Sequence, residues 1–252
     1  MTKSTVRTLA MATLVGPLAL ALAACGDSKT GETATSGEPI AKIAPPQGQN
    51  WSEVIAKTDA GGYLMGNPDA PIKLIEYGSL TCPHCAQFTA ESDEELRNSF
   101  VESGRVSYEF RNFVMNPLDL AMAMLVRCGA PESFFALTKQ TFENQPAIIQ
   151  AWTQAGEQQA TQAVSLPPQQ RFQAVAALAG LTDFYGARGI SADQAKQCLA
   201  DAKAAETLAT NTTKQSEEFQ ITGTPSFLLN GSKIEGNTWE TVKAALQAAG
   251  AR

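Results

Sequence analysis

Short apolar runs and amphipathic stretches follow one another in a definite order along this chain. Residues 72–77 (IKLIEY) are apolar, brief and bounded by Pro71 and Gly78, which predicts a strand. Residues 86–100 carry Phe88, Leu96 and Phe100 on one face with acids between them, which predicts a helix. A further strand is expected over 106–110. From 117 to 219 the pattern is helical almost throughout. Its pieces are 118–128 (LDLAMAMLVRC), 132–144, a short 147–154, 169–179 opened by Pro167-Pro168, 192–200 capped by Ser191, and a polar helix over 201–219. Near the end, 227–229 and 233–234 flank Asn230-Gly231, a hairpin signal. Asn237 then caps a helix over 238–249, with Trp239, Val242 and Leu246 on one face. Strand, helix, strand, helical block, strand, strand, helix predicts an α/β fold with an all-helical insertion.

The N-terminus changes the picture by setting a compartment. Lys3 and Arg7 precede an apolar stretch over 9–24, the pattern of a secretory signal. Leu22-Ala23-Ala24-Cys25 resembles a bacterial lipobox, so residues 1–24 are expected to be a lipoprotein signal and Cys25 the lipidated residue. The alternative is ordinary cleavage after Ala23 or Ala24, which leaves a free thiol. Residues 25–50 are rich in Gly, Ser, Thr, Pro and charge, and are expected to be a flexible tether. The remainder divides into 51–116, the helical block 117–219, and 220–252. The expected location is the bacterial cell envelope, facing the periplasm and held to a membrane by lipid. Without Lys3 and Arg7, 25 acids face 17 bases, a net charge of −8 that argues against nucleic acid as a partner.

The chemistry concentrates in Thr81-Cys82-Pro83-His84-Cys85, at the junction of the first predicted strand and helix. Unpaired N–H groups and the macrodipole at a helix start favour a thiolate. Cys82 is expected to be the exposed sulfur and Cys85, a turn later, the sheltered one. His84 is the sole histidine of the sequence, and a partly positive imidazole there would lower the Cys82 pKa further. A zinc half-site would need about four ligands, and no second C-x-x-C or H-x-x-H exists in the sequence. C-x-x-C in this context reads as a redox dithiol. Cys128 and Cys198 form an even pair within the helical block. In an oxidising compartment they suggest a structural disulfide, with two buried free thiols as the alternative.

Residues 76–85 (EYGSLTCPHC) resemble the active-site segment of the DsbA family of thiol oxidases, and the element order resembles their thioredoxin fold with an inserted helical domain. The resemblance implies that Glu76 is a buried acid that moves protons to and from Cys85, although in an alternating strand Glu76 could instead face solvent. It makes Thr224-Pro225 look like the family's cis-proline loop, where substrate backbone would lie beside Thr224. Cis bonds are nearly confined to X-Pro. It further implies exchange with cysteines of reduced exported proteins, reoxidation by a DsbB-like membrane quinone reductase, a monomer, and no cofactor or metal. The best-known oxidases have Val where this chain has Thr224. Thr also looks like the choice of disulfide isomerases and Gram-positive oxidases, so a reductase or isomerase is the nearer alternative. A copper(I) carrier using Cys82 and Cys85 is the more distant one.

Overall fold

The computed structural model describes residues 37–252. Six strands form one mixed sheet in the order β1-β2-β4-β3-β5-β6. They are β1 (Ile55–Lys57), β2 (Tyr63–Gly66), β3 (Ile72–Gly78), β4 (Val106–Asn112), β5 (Ser226–Leu229) and β6 (Ser232–Lys233). At the centre, β3 pairs parallel with β4 and antiparallel with β5. The fold is α/β, with a block of helices inserted between β4 and β5.

Strand alternation decides what lies under the dithiol. In β3, Ile72, Leu74 and Glu76 share one face, and all three are buried. Glu76 stands opposite Phe110 of β4 and Phe227 of β5, so a carboxyl is set between two aromatic neighbours. Helices α1 (Pro83–Glu95) and α9 (Trp239–Ala248) contribute to this face: Phe88 lies 4.5 Å from Phe227, and Phe100 meets Trp239 edge-on at 5.7 Å. Helix α3 (Phe134–Glu143) adds Phe134 and Phe135. The odd positions of β3 face the other way, where Tyr77 packs with Ile221, Leu228 and Phe219 in a smaller cluster.

Between β4 and β5 the chain is helical: α2 (Pro117–Val126), α3, α4 (Gln145–Ser165), α5 (Pro168–Leu178), α6 (Leu181–Gly186), α7 (Ala192–Ala200) and α8 (Ala202–Phe219). Helix α2 is buried from Leu118 to Val126, as an all-round apolar helix must be. Cys128 and Cys198 are joined in a disulfide that ties the end of α2 to α7.

The structure corrects several sequence expectations. Strands β1 and β2 were not anticipated: they are short, and β1 gains its order only by pairing with β2. The short helix expected over 147–154 is half of α4, whose two halves meet at Gly156 with φ 82° and ψ 161°. A positive φ suits glycine, and the break lets the apolar periodicity change phase there. Helix α6 was also missed. Helix α1 starts at Pro83, not at 86, because proline suits a first helical turn and Cys82 serves as the N-cap. The cap of α9 is Thr238, which accepts from the Thr241 N–H, not Asn237. Residues 37–43 of the expected tether lie on the body: Gly37 N–H donates to Ala248 O at 2.7 Å, Ile40 to Gly250 at 3.0 Å and Ile43 to Ser103 at 2.9 Å. Polar composition hid those backbone partners and the packing of Ile40 against the core. The signal 1–24, Cys25 and the tether up to residue 36 lie outside the described residues.

Candidate active site

The CPHC loop leaves the C-terminal end of β3 and enters α1, so the two sulfurs sit at the helix start above Glu76. Cys82 keeps 9% of its surface exposed and Cys85 none. Cys82 is the more accessible sulfur, but less open than expected, because the Thr224 loop lies over it. The Cys82 Sγ–H donates to Thr224 O at 3.2 Å, and the Thr224-Pro225 peptide bond is cis. The loop thus joins two segments 142 residues apart in the chain.

The two thiols differ in acidity for physical reasons. A hydrogen bond from the Cys85 thiol is the largest influence on Cys82, followed in the same direction by the Thr224 hydroxyl and the N–H groups of Cys85 and His84. Against the cost of partial burial, they lower Cys82 to a pKa of about 5. Burial pushes the Cys85 thiol well above its ordinary range, and the charges of Glu76 and Cys82 push it the same way. His84 acts here through its backbone. Its imidazole is exposed.

Glu76 is fully buried. Desolvation raises its pKa to about 8, although the hydrogen bond from Tyr108 opposes this. Tyr108 Oη donates to Glu76 Oε2 at 2.6 Å, and Oε1 has no partner among the described residues. A Cβ at Gly78 would strike the Phe110 ring and crowd Glu76 Oε1, so glycine is needed where β3 passes the carboxyl.

Three functional neighbours escaped the sequence reading. One is Tyr108. The others are Asp119 and Gln145, both buried and both from the helical insertion. Asp119 accepts from Ser79 Oγ at 2.7 Å, Leu80 N–H at 2.8 Å and Met115 N–H at 2.9 Å. Gln145 Nε2 donates to Leu80 O at 2.8 Å and Cys82 O at 3.0 Å. Together they clamp the segment leading into Cys82. One signal was available: Asp119 is the only charge in the apolar run LDLAMAMLV, and a buried charge needs partners. Gln145 left no such trace.

Beside Cys82 and Thr224 runs a groove of about 580 Å³, walled by Met115, Pro117, Leu118, Ile149 and Trp152. Met115 is 57% exposed, unusual for a large apolar side chain. The half-buried disulfide Cys128–Cys198 lies elsewhere, beside a separate pocket. Among the described residues no group of three or more His, Cys, Asp or Glu side chains is arranged to hold a metal ion.

The chain is similar to known proteins. A family model described as Thioredoxin matches residues 58–248. The crystal structure of a protein-disulfide isomerase from Novosphingobium aromaticivorans superposes with a TM-score of 0.70 at 32% identity, covering 73% of this chain and 95% of that one. Wolbachia pipientis alpha-DsbA1 gives a TM-score of 0.55 at 25% identity, with coverage of 73% and 88%. A Rickettsia bellii protein named as a protein-disulfide oxidoreductase is 28% identical over 197 residues, 78% of this chain and 68% of its own length. A low-pKa sulfur over a buried one, a cis-proline loop against it and these relatives lead to one conclusion: the chain belongs to the thioredoxin family and is a DsbA-like thiol:disulfide oxidoreductase.

Proposed function

We propose that the chain donates its Cys82–Cys85 disulfide to cysteines of exported proteins in the bacterial periplasm. The observation that carries this reading is the contrast between the two sulfurs. Cys82, at a pKa of about 5, is stabilised as a thiolate, so the dithiol is favoured and the disulfide is a strong oxidant. A substrate thiolate attacks Cys82 Sγ, and the Cys82–Cys85 bond breaks. Cys85 leaves as a thiolate and takes a proton from Glu76. Substrate backbone lies beside Thr224-Pro225, and an apolar side chain next to the substrate cysteine occupies the groove. A second substrate thiolate then attacks the substrate sulfur of the mixed disulfide and releases Cys82. Electrons leave the dithiol to a DsbB-like membrane quinone reductase. The lipobox-like segment supports attachment to the membrane through Cys25. No helix among the described residues is long and apolar enough to cross a membrane.

A second reading is isomerisation or reduction. Thr224 before the cis-proline and the likeness to an isomerase from Novosphingobium favour it. The reduction potential of the Cys82–Cys85 pair, equilibrated with glutathione, separates the two. A value near about −120 mV, that of DsbA, is expected. A value near about −270 mV, that of thioredoxin, would reject disulfide donation.

A further inference from the structure

Thr224 touches two sulfurs. Its carbonyl oxygen accepts from Cys82 Sγ at 3.2 Å, and its Oγ1 donates to Met115 Sδ at 3.5 Å. The same hydroxyl is one of the groups that favour the Cys82 thiolate. A hydroxyl carries one proton, so what it gives to one acceptor it withholds from the other. A thioether is a weak acceptor and leaves the thiolate its share. The fold places Met115 deliberately: its N–H donates to the buried Asp119 carboxylate at 2.9 Å, and Asp119 also holds Ser79 and Leu80. Met115 is open to solvent as well. Met65, Met122 and Met124 are at most 4% exposed, against 57% for Met115. Among the described residues, one methionine is thus accessible to an oxidant in solution, and it lies in the wall of the groove beside Cys82.

We propose that Met115 is a sulfoxidation site, at which hydrogen peroxide retunes the dithiol through the Thr224 hydroxyl and makes the groove wall polar. The thioether lone pair attacks one peroxide oxygen. The O–O bond breaks, an S–O bond forms and water leaves, so the sulfur loses two electrons and the peroxide gains them. The sulfoxide oxygen is a stronger acceptor than the thioether and draws the Thr224 proton away from Cys82. The thiolate is then less stabilised, and the disulfide becomes a weaker oxidant. A polar, chiral group also replaces a flexible apolar one in the groove. The dithiol itself escapes lasting oxidation: a sulfenic acid formed on Cys82 condenses with Cys85, restoring the disulfide and releasing water. Met115 returns to the thioether only through a methionine sulfoxide reductase. The effect on substrate rests on the reading of the groove as the substrate site, whereas the effect on the thiolate does not.

The test exposes the disulfide form of the full chain to hydrogen peroxide, removes the peroxide with catalase and locates the added oxygen by peptide mass spectrometry. Met115 is expected to be oxidised before Met65, Met122 and Met124. The treated disulfide form should oxidise a reduced peptide with an apolar residue beside its cysteine about tenfold more slowly. After reduction with dithiothreitol, the 240 nm titration of Cys82 should move up by about one unit. Met115→Leu should show neither change under the same treatment. Thr224→Val should gain the oxygen at Met115 yet keep its own titration midpoint. An unoxidised Met115, or a midpoint unmoved by its oxidation, would overturn the proposal. An equal shift in Thr224→Val would also overturn it, as mere distortion. A moved midpoint with an unchanged rate would keep the site and reject the groove reading on which the slowing rests. Failure of the untreated wild type to oxidise the peptide would reject disulfide donation alone, because the titration still decides on Met115.

Discussion

The surroundings of Cys82 and those of Cys85 are opposite in character, although the two residues are three apart. Above Cys82 there are donors: the Cys85 thiol, the Thr224 hydroxyl and the N–H groups of the first helical turn. Below Cys85 there is a buried aromatic floor of Phe88, Phe110 and Phe227 with one carboxyl in it. Free N–H groups exist only where a helix begins, so one turn of α1 is enough to move a sulfur from stabilised anion to sheltered thiol. The difference also assigns labour within the molecule. The thioredoxin elements supply the floor and the cis-proline loop, whereas the helical insertion supplies Asp119, Gln145 and the Pro117, Leu118, Ile149 and Trp152 side of the groove.

The largest effect should come from the sulfurs themselves. Cys82→Ser is expected to abolish exchange with a reduced peptide. Cys85→Ser, offered a disulfide-bonded peptide, should still attack it through the Cys82 thiolate, displace one peptide thiolate and accumulate the mixed disulfide, visible as a gel shift under non-reducing conditions. Equal loss in both variants, with no trapped species, would break the contrast.

Next in size is a control far from the site. Cys128 and Cys198 close a loop 70 residues apart in sequence, which in the chain-entropy model is worth roughly 4 kcal/mol. The double Cys→Ala variant should lose stability of that order in urea unfolding, while the thiolate absorbance titration of Cys82 stays where it was. A moved titration would tie the insertion to the dithiol more closely than hydrogen bonds alone do.

Glu76 offers a pH test with a definite sign. Its folded pKa is raised from 4.5 to about 8, so its favourable contribution is complete below about 4.5 and is lost as pH rises through 8. The Tm of Glu76→Gln, measured relative to wild type, is therefore expected to climb from pH 4.5 to 8. A flat or falling difference would mean that the carboxyl is not the burdened group under Cys85.

Gln145→Leu leaves the Leu80 and Cys82 carbonyls without their buried donor, at a cost of about 1–3 kcal/mol. Guanidinium unfolding measures the loss. The smallest effect is Thr224→Val, which removes one hydroxyl from the thiolate and should raise the Cys82 pKa by about one unit. A decrease in the 240 nm titration would show that the hydroxyl stabilises the thiol instead.

Much of the fold was legible because its signals are local. Residues 72–77 read as a strand from six apolar-rich positions, and Pro167-Pro168 and Ser191 marked helix starts that the structure repeats within a residue. What failed had no local signal. Strand β1 exists because β2 lies beside it, α4 is long because a glycine joins two helices, and residues 37–43 are ordered by carbonyls near the C-terminus and at Ser103.

The sequence by itself located the reactive pair at a predicted strand-to-helix junction, and its resemblance to the DsbA family pointed to Glu76 and to Thr224-Pro225. Only the tertiary structure decided how those groups behave. Glu76 has a pKa of about 8 because β4, β5 and α1 bury it. Cys82 has one of about 5 partly because Thr224 arrives from 142 residues away. Tyr108, Asp119 and Gln145 belong to the site for the same reason. Burial and hydrogen bonding are properties of neighbours in space, and the chain order of a residue does not reveal who those neighbours are.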